Sequence, residues 1–409
     1  MTYLIRNAHV FDGSGAALFP ADIEISGNRI ASILPPGSAL LKEGDTELDA
    51  QGKTLMPGMV EGHAHLSWGS SVEKIYHEFS LPEDELRVAT WRNARILLDH
   101  GFTSAYSAGA LGESLEVDLA AEIISGKTPG PRLIPSTIER SPEGEDNGNI
   151  FHGRGPESMR AFMRHCGEIG IKSVKLMISG EDALLPGSSQ HILYTEEELA
   201  AGQEEAERAG LWIAAHAYTT QAIKLALKYG ARVIYHCSWA DQEAIELMAA
   251  AKDRIFYAPA AGVIVGTLEA KPPPHIDMRA MKESSAEILA LDSKLVPQLH
   301  KRGVRVLIGG DYGFPFNPNG RNARDLEHFV NLFGYTPSEA LVAATKFGGE
   351  IMNLGHELGL IKAGYLADLL LVDGDPTKDV RILQDKSNLH LIMKDGVMYK
   401  NSISVKALV

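Results

Sequence analysis

The feature that most constrains the fold is a change of hydrophobic period along the chain. From residue 59 to residue 311, short apolar runs alternate with amphipathic stretches of about 12–20 residues, the pattern of βαβ units around a parallel sheet. The runs cover residues 59–65, 102–107, 132–136, 173–179, 211–217, 231–237, 254–260 and 305–311. Helices fit between them, among others over 82–99, 195–209, 221–229 and 284–301. The second of these opens Thr195-Glu196-Glu197-Glu198, an acidic first turn that suits the helix dipole. Eight strand–helix repeats favour a closed (β/α)8 TIM barrel over an open sheet.

The two ends read differently. Strands are expected over 3–11, 21–26, 29–34 and 46–49, separated by turn pairs such as Asp12-Gly13 and Gly27-Asn28. Near the C-terminus, 367–372 and 389–394 repeat that texture around Asp373-Gly374 and Asp395-Gly396. Neither end carries a long helical pattern. The expectation is an α/β chain with a barrel over 58–355 and a small β-sandwich domain built from both termini, residues 1–57 plus 356–409.

Composition narrows the function classes. With 409 residues, 44% hydrophobic and 22% charged, the chain is long enough for a large core and too balanced for a disordered or fibrous class. Its net charge of −14 argues against nucleic acid or an anionic membrane as partner, since phosphate binding needs clustered Lys and Arg. Two cysteines, Cys166 and Cys237, cannot form a disulfide framework and favour a reducing compartment. The first residues alternate polar and apolar, unlike a signal peptide, and no run approaches the ~18 apolar residues of a membrane span. A cytoplasmic protein acting on a small molecule is expected, with a homo-oligomer left open.

Unusual polar residues fall at the strand ends. His63 and His65 close the first run, and residues two apart on a strand face one side. His216 closes the fifth, His236 the sixth and Asp311 the eighth, while Lys175 lies inside the otherwise apolar fourth. Singly, each has an ordinary explanation: a strand-end His is commonly a scaffold residue and a strand-end Asp a helix cap. Together, in a barrel whose strand C-termini converge on one mouth, they form a donor set suited to a divalent ion such as Zn²⁺.

Val60-Glu61-Gly62-His63-Ala64-His65, preceded by Leu55-Met56-Pro57-Gly58, resembles the opening metal motif of the amidohydrolase superfamily. The stretch from Gly359 to Leu369, which contains Ala367-Asp368-Leu369, resembles its closing segment. Within the superfamily the chain is most similar to the branch of Xaa-Pro dipeptidase-like, arginine carboxypeptidase-like and ochratoxinase enzymes. That resemblance implies two divalent ions, usually zinc with Mn²⁺ as an alternative, bridged by a lysine carrying a CO₂-derived carboxylate. His63 and His65 would hold one ion and His216 and His236 the other, with Lys175 as the bridge and Asp311 as the strand-eight ligand. An ammonium beside two dications would be repelled, which independently favours an anionic Lys175.

The reaction implied is hydrolysis of an amide C–N bond by a metal-bridging hydroxide, with Asp311 as general base and then acid. Tyr218 and His152 resemble the family's tyrosine and loop histidine and are the candidate oxyanion donors. Arg154, Arg321 and Arg324 are candidates to hold a substrate carboxylate. Trp68, Trp239, Phe314 and Phe316 are candidates to line an apolar pocket, and Cys237 should pack in the core. After Lys175 the chain reads Ser179-Gly180-Glu181-Asp182 where peptidase-like members carry Ser-Gly-Gly, and Cys237 follows His236 where Gly is common. A peptide-like, N-acyl amino acid or cyclic amide substrate therefore stays open. The alternatives are a deaminase of the same fold, disfavoured by Ala217-Tyr218-Thr219 after His216 and by Lys175, and a catalytically silent scaffold.

Overall fold

The computed structural model describes residues 2–39, 43–70, 81–142, 153–182 and 187–407. Five strands open the chain: β1 (Thr2–Val10), β2 (Phe19–Ser26), β3 (Arg29–Leu34), β4 (Thr46–Asp49) and β5 (Thr54–Pro57). Strand and helix then alternate: β6 (Met59–Ala64), α1 (Glu83–Asp99), β7 (Phe102–Ser107), α2 (Leu115–Ile124), β8 (Arg132–Ile134), α3 (Pro156–Glu168), β9 (Ser173–Met177), α4 (Glu196–Ala209). The alternation continues with β10 (Trp212–Thr219), α5 (Thr220–Lys228), β11 (Ala231–Trp239), α6 (Gln242–Ala250), β12 (Phe256–Ala258), α7 (Ala261–Glu269), α8 (Arg279–Lys301) and β13 (Arg305–Val306). Three helices follow, α9 (Arg324–Phe333), α10 (Pro337–Ala344) and α11 (Lys346–Ile351). The last strands are β14 (Leu369–Val372), β15 (Leu389–Lys394), β16 (Val397–Asn401) and β17 (Val405–Ala407).

Each of the eight central runs carries a strand, and all their pairings are parallel. They form two ladders, β6-β7-β8 and β9-β10-β11-β12-β13, in a TIM-barrel-like α/β arrangement. Isolated contacts span the seams between the ladders. At one, the Arg140 N–H donates to Lys175 O and the Met177 N–H to Arg140 O, both at 3.0 Å. At the other, Ala64 bridges Tyr312 in parallel and the Gly62 N–H donates to Ile308 O at 3.3 Å.

Five strands, β6, β8, β9, β12 and β13, are shorter than the apolar runs suggest. β8 stops at Ile134 because Pro135 has no N–H to give the ladder. β12 covers only the centre of its run. β13 ends at Val306, and the chain then leaves the ladder through Gly309-Gly310, where the buried Asp325 carboxylate accepts the Gly309 N–H at 3.0 Å.

The termini meet in one mixed nine-stranded sheet, ordered β16-β15-β14-β5-β1-β2-β3, with β4 beside β1 and β17 beside β4. The strand pairing is that of one connected sheet and does not by itself establish the expected β-sandwich. β5 pairs with β1 on one side and β14 on the other, so the hydrogen bonding runs through without a second sheet. β5 leads into β6 after a single residue, Gly58, whose N–H donates to Asp368 O at 2.8 Å. That junction ties the small sheet to the first strand of the site. The helices start where local chemistry supports them: Thr195 with Glu198, and Thr336 with Glu339, form capping boxes at α4 and α10.

Candidate metal centre

The first motif folds as it does because β13's exit strand presses on it. A Cβ on Gly62 would lie 2.7 Å from Ile308 O, and one on Gly309 would lie 2.8 Å from the His63 Cβ. Only glycine admits both backbones, and their approach delivers His63 and Asp311 to the same place. The His63 ring stacks on Tyr235 at 3.8 Å, and the Tyr235 hydroxyl donates to Gly62 O at 3.0 Å. His65 is oriented through Nδ1, 3.0 Å from Gly109 O, which leaves Nε2 facing inward.

His236, Cys237 and Asp311 have φ of 73°, 62° and 58°. Non-glycine residues pay about 1–2 kcal/mol for that left-handed backbone, and such strain concentrates at functional sites. The Tyr257 hydroxyl secures the kink by donating to His236 O at 3.0 Å. Cys237 is fully buried in the core, as its position after His236 suggests.

The side chains converge. His63, His236 and Asp311 offer donor atoms all within 4.8 Å of one another. Asp311 Oδ1 lies 3.0 Å from His65 Nε2 and 3.7 Å from His63 Nε2, yet it is buried without a hydrogen bond. His216 packs against His236, ring centroids 4.4 Å apart, with its Nε2 3.1 Å from Gly180 O. Lys175 Nζ lies 3.2 Å from Ala108 O, 3.5 Å from His63 Nε2 and 4.5 Å above the Tyr235 ring. Tyr218 stacks on His236 at 4.7 Å. His152 lies outside the described residues.

Burial governs the electrostatics. Desolvation, reinforced by Lys175, holds His63 well below the ordinary imidazole range and His216 at about 3. Burial and the neighbouring His216 do the same for His236. Burial also opposes protonation of His65, but the Asp311 carboxylate outweighs it and raises that ring above its usual value. The neutral imidazoles of His63, His216 and His236, beside a buried carboxylate oxygen without a hydrogen bond, are what a divalent ion requires. The residues present fit such a group.

One acidic residue at the centre escaped the sequence reading. Glu139 Oε2 lies 3.9 Å from Lys175 Nζ and its Oε1 3.8 Å from His65 Nδ1. Its signal was faint: it follows the short β8, where Ala110–Ile138 and Arg140–Leu176 bridges extend the strand path. The candidate arginines are otherwise engaged. Arg324 makes two hydrogen bonds to Glu269, Arg321 lies 3.8 Å from the same carboxylate, and Arg154 donates to Leu193 O. Trp68 and Phe314 pack together at 4.9 Å, both edge-on to His65, and Trp239 meets Tyr218 at 5.3 Å.

The Amidohydrolase family model matches residues 54–398, well over half of the chain. The chain belongs to the amidohydrolase family. This amidohydrolase is 27% identical over 385 residues to ochratoxinase of Aspergillus niger, covering 85% of this chain and 75% of that one. It is 25% identical over 418 residues to imidazolonepropionase of Rubrobacter xylanophilus, covering 92% and 90%. A crystal structure of a Xaa-Pro dipeptidase with bound methionine in the active site superposes with TM-score 0.85 at 25% identity, over 98% of this chain and all of that one. Ochratoxinase and the Xaa-Pro dipeptidase belong to the branch that the sequence motifs resemble. The amidohydrolase is thus an enzyme acting on carbon–nitrogen bonds. No helix among the described residues is long and apolar enough to cross a membrane.

Proposed function

We propose that this amidohydrolase cleaves an amide-type C–N bond, peptide-like, N-acyl or cyclic, with two divalent ions, zinc before manganese, and a carboxylated Lys175. The reading rests on one observation: His63, His236 and Asp311 present donor atoms within 4.8 Å of one another. His63 and His65 would hold one ion, His216 and His236 the other, with Lys175 between them and Asp311 completing the set. In the same reading the eight strands close into a (β/α)8 barrel over residues 58–355, and the terminal segments act as one small domain.

When bound, the ions polarise a carbonyl and lower the pKa of water from 15.7 to about 7. Asp311 Oδ1 takes a proton from the attacking water and returns it to the leaving nitrogen. The Tyr218 hydroxyl, beside His236 and His216, would donate to the developing oxyanion once turned from Glu181, with His152 as the second candidate. The partner is a small-molecule amide, and two buried free cysteines suit a reducing cytoplasm.

Protein prepared without chelator should carry at least about one divalent ion per chain and hydrolyse a member of a panel of N-acyl amino acids, dipeptides, aryl amides and lactams with added Zn²⁺ or Mn²⁺. Intact mass under mild conditions should show one CO₂ adduct at Lys175. Metal-free protein that stays inert after loading would overturn the reading.

A further inference from the structure

Glu181 lies in the segment that follows β9. The segment is tied down on β10 at three places. The Tyr218 N–H donates to Ser179 Oγ at 3.0 Å, Gly180 O lies 3.1 Å from His216 Nε2, and the Tyr218 hydroxyl donates to Glu181 Oε2 at 3.2 Å. Glu181 Oε2 also lies 3.8 Å from His216 Nε2, while its side chain keeps 23% of its surface exposed. The carboxylate is therefore fixed against the candidate centre and still reachable by a substrate.

Two consequences follow from this placement. A phenol has one proton to donate, and here Tyr218 gives it to Glu181, so it cannot serve an oxyanion at the same time. Tyr218 is packed in a buried apolar cluster with Ile264 and Ile288, against which the partly buried Trp239 lies. Arg324 and Arg321, which face the loop after β13, are already committed to Glu269. The group that faces the Tyr218 hydroxyl is thus a carboxylate, that of Glu181.

We propose that Glu181 is a specificity-determining residue that takes a cationic amine of the substrate and, in doing so, releases the Tyr218 hydroxyl toward the scissile carbonyl. The proposal rests on the amide-hydrolase reading above. A primary ammonium brings a full charge and three donors, and a charge-assisted hydrogen bond to carboxylate is roughly twice as strong as a neutral one. It displaces the phenol. A substrate carboxylate at the same position meets like charge, and a neutral acyl group leaves Tyr218 latched. Recognition is thereby coupled to assembly of the oxyanion donor, a form of induced fit.

The test compares ligands differing only in the amine. Calorimetry with L-phenylalaninamide and with 3-phenylpropanamide should show the amine binding about tenfold tighter to the wild-type protein. Glu181→Gln should bring the two within about twofold, and Glu181→Asp should keep part of the preference. Tyr218→Phe should retain the binding preference while lowering turnover of the p-nitroanilide that carries the amine and leaving that of the neutral one nearly unchanged. Equal binding by the wild type, or a preference that survives Glu181→Gln, overturns the proposal. An intact binding preference with no hydrolysis of either anilide upholds the amine site and overturns the hydrolase reading instead.

Discussion

Asp311 shows how a single residue can serve conformation and chemistry together. Its left-handed backbone is tolerated best by Asn and Asp among non-glycine residues, and its Oδ1 is buried without a hydrogen bond. Asp311→Asn therefore keeps the backbone and the volume but removes the anionic oxygen. The expected outcome is a 10²–10⁴-fold loss of kcat with far-ultraviolet circular dichroism and thermal midpoint close to wild type. A variant that retains wild-type kcat would exclude Asp311 as proton carrier. The residue identities at this scale were legible: four histidines, an aspartate and a lysine at strand ends stand out in the primary structure. Glu139 did not, because only the extended path beyond β8 turns it toward Lys175.

At the scale of elements, β6 and the exit of β13 are held together by absence of side chain. A Cβ at Gly62 would sit 2.7 Å from Ile308 O, a backbone atom that cannot rotate away. Gly62→Ala should cost about 1–3 kcal/mol, the usual penalty of overpacking, read as a fall in the urea midpoint. Because the clash pushes His63 from Asp311, affinity for a divalent ion should fall as well, measured by competition with a chromogenic chelator. An alanine variant with wild-type midpoint and metal affinity would show that the seam can relax. Strand existence was readable from apolar runs and turn residues, and so were the helices between them. Strand ends were not, since Pro135 and the Gly309-Gly310 exit end ladders inside runs whose apolar character continues.

At the scale of the molecule, the barrel-like body and the terminal sheet are joined by a charged triad. Arg132, on β8, donates to Asp368 at 2.8 Å and to Asp395, whose own N–H donates to Asp368 at 2.9 Å. This gives the closing motif a physical role: Asp368 sits beneath the barrel-like ladder and fastens the returning chain to it. Burial alone would raise the Asp395 carboxyl, but Arg132 and Lys394 outweigh it and hold the group below its ordinary value. A carboxylate lowered in the folded state contributes stability that is complete above its unfolded pKa of about 3.9 and is lost as pH falls through the lower folded value. The stability gap between wild type and Asp395→Asn should therefore be constant from neutral pH to about 5 and shrink below about 4, read from urea midpoints. A gap that widens on acidification would contradict the ion pairing.

The sequence by itself determined the alternation of strands and helices, the β character of both ends, and the types of side chain able to hold a metal. Those follow from local rules: hydrophobic period, turn residues and donor chemistry. The tertiary structure alone decided that the termini share one nine-stranded sheet, that Glu139 faces Lys175, that Arg321 and Arg324 are spent on Glu269, and that Tyr218 points its proton at Glu181. Each of these is a pairing between residues far apart in the chain. Its energy depends on which backbone approaches which, a quantity that no local pattern encodes.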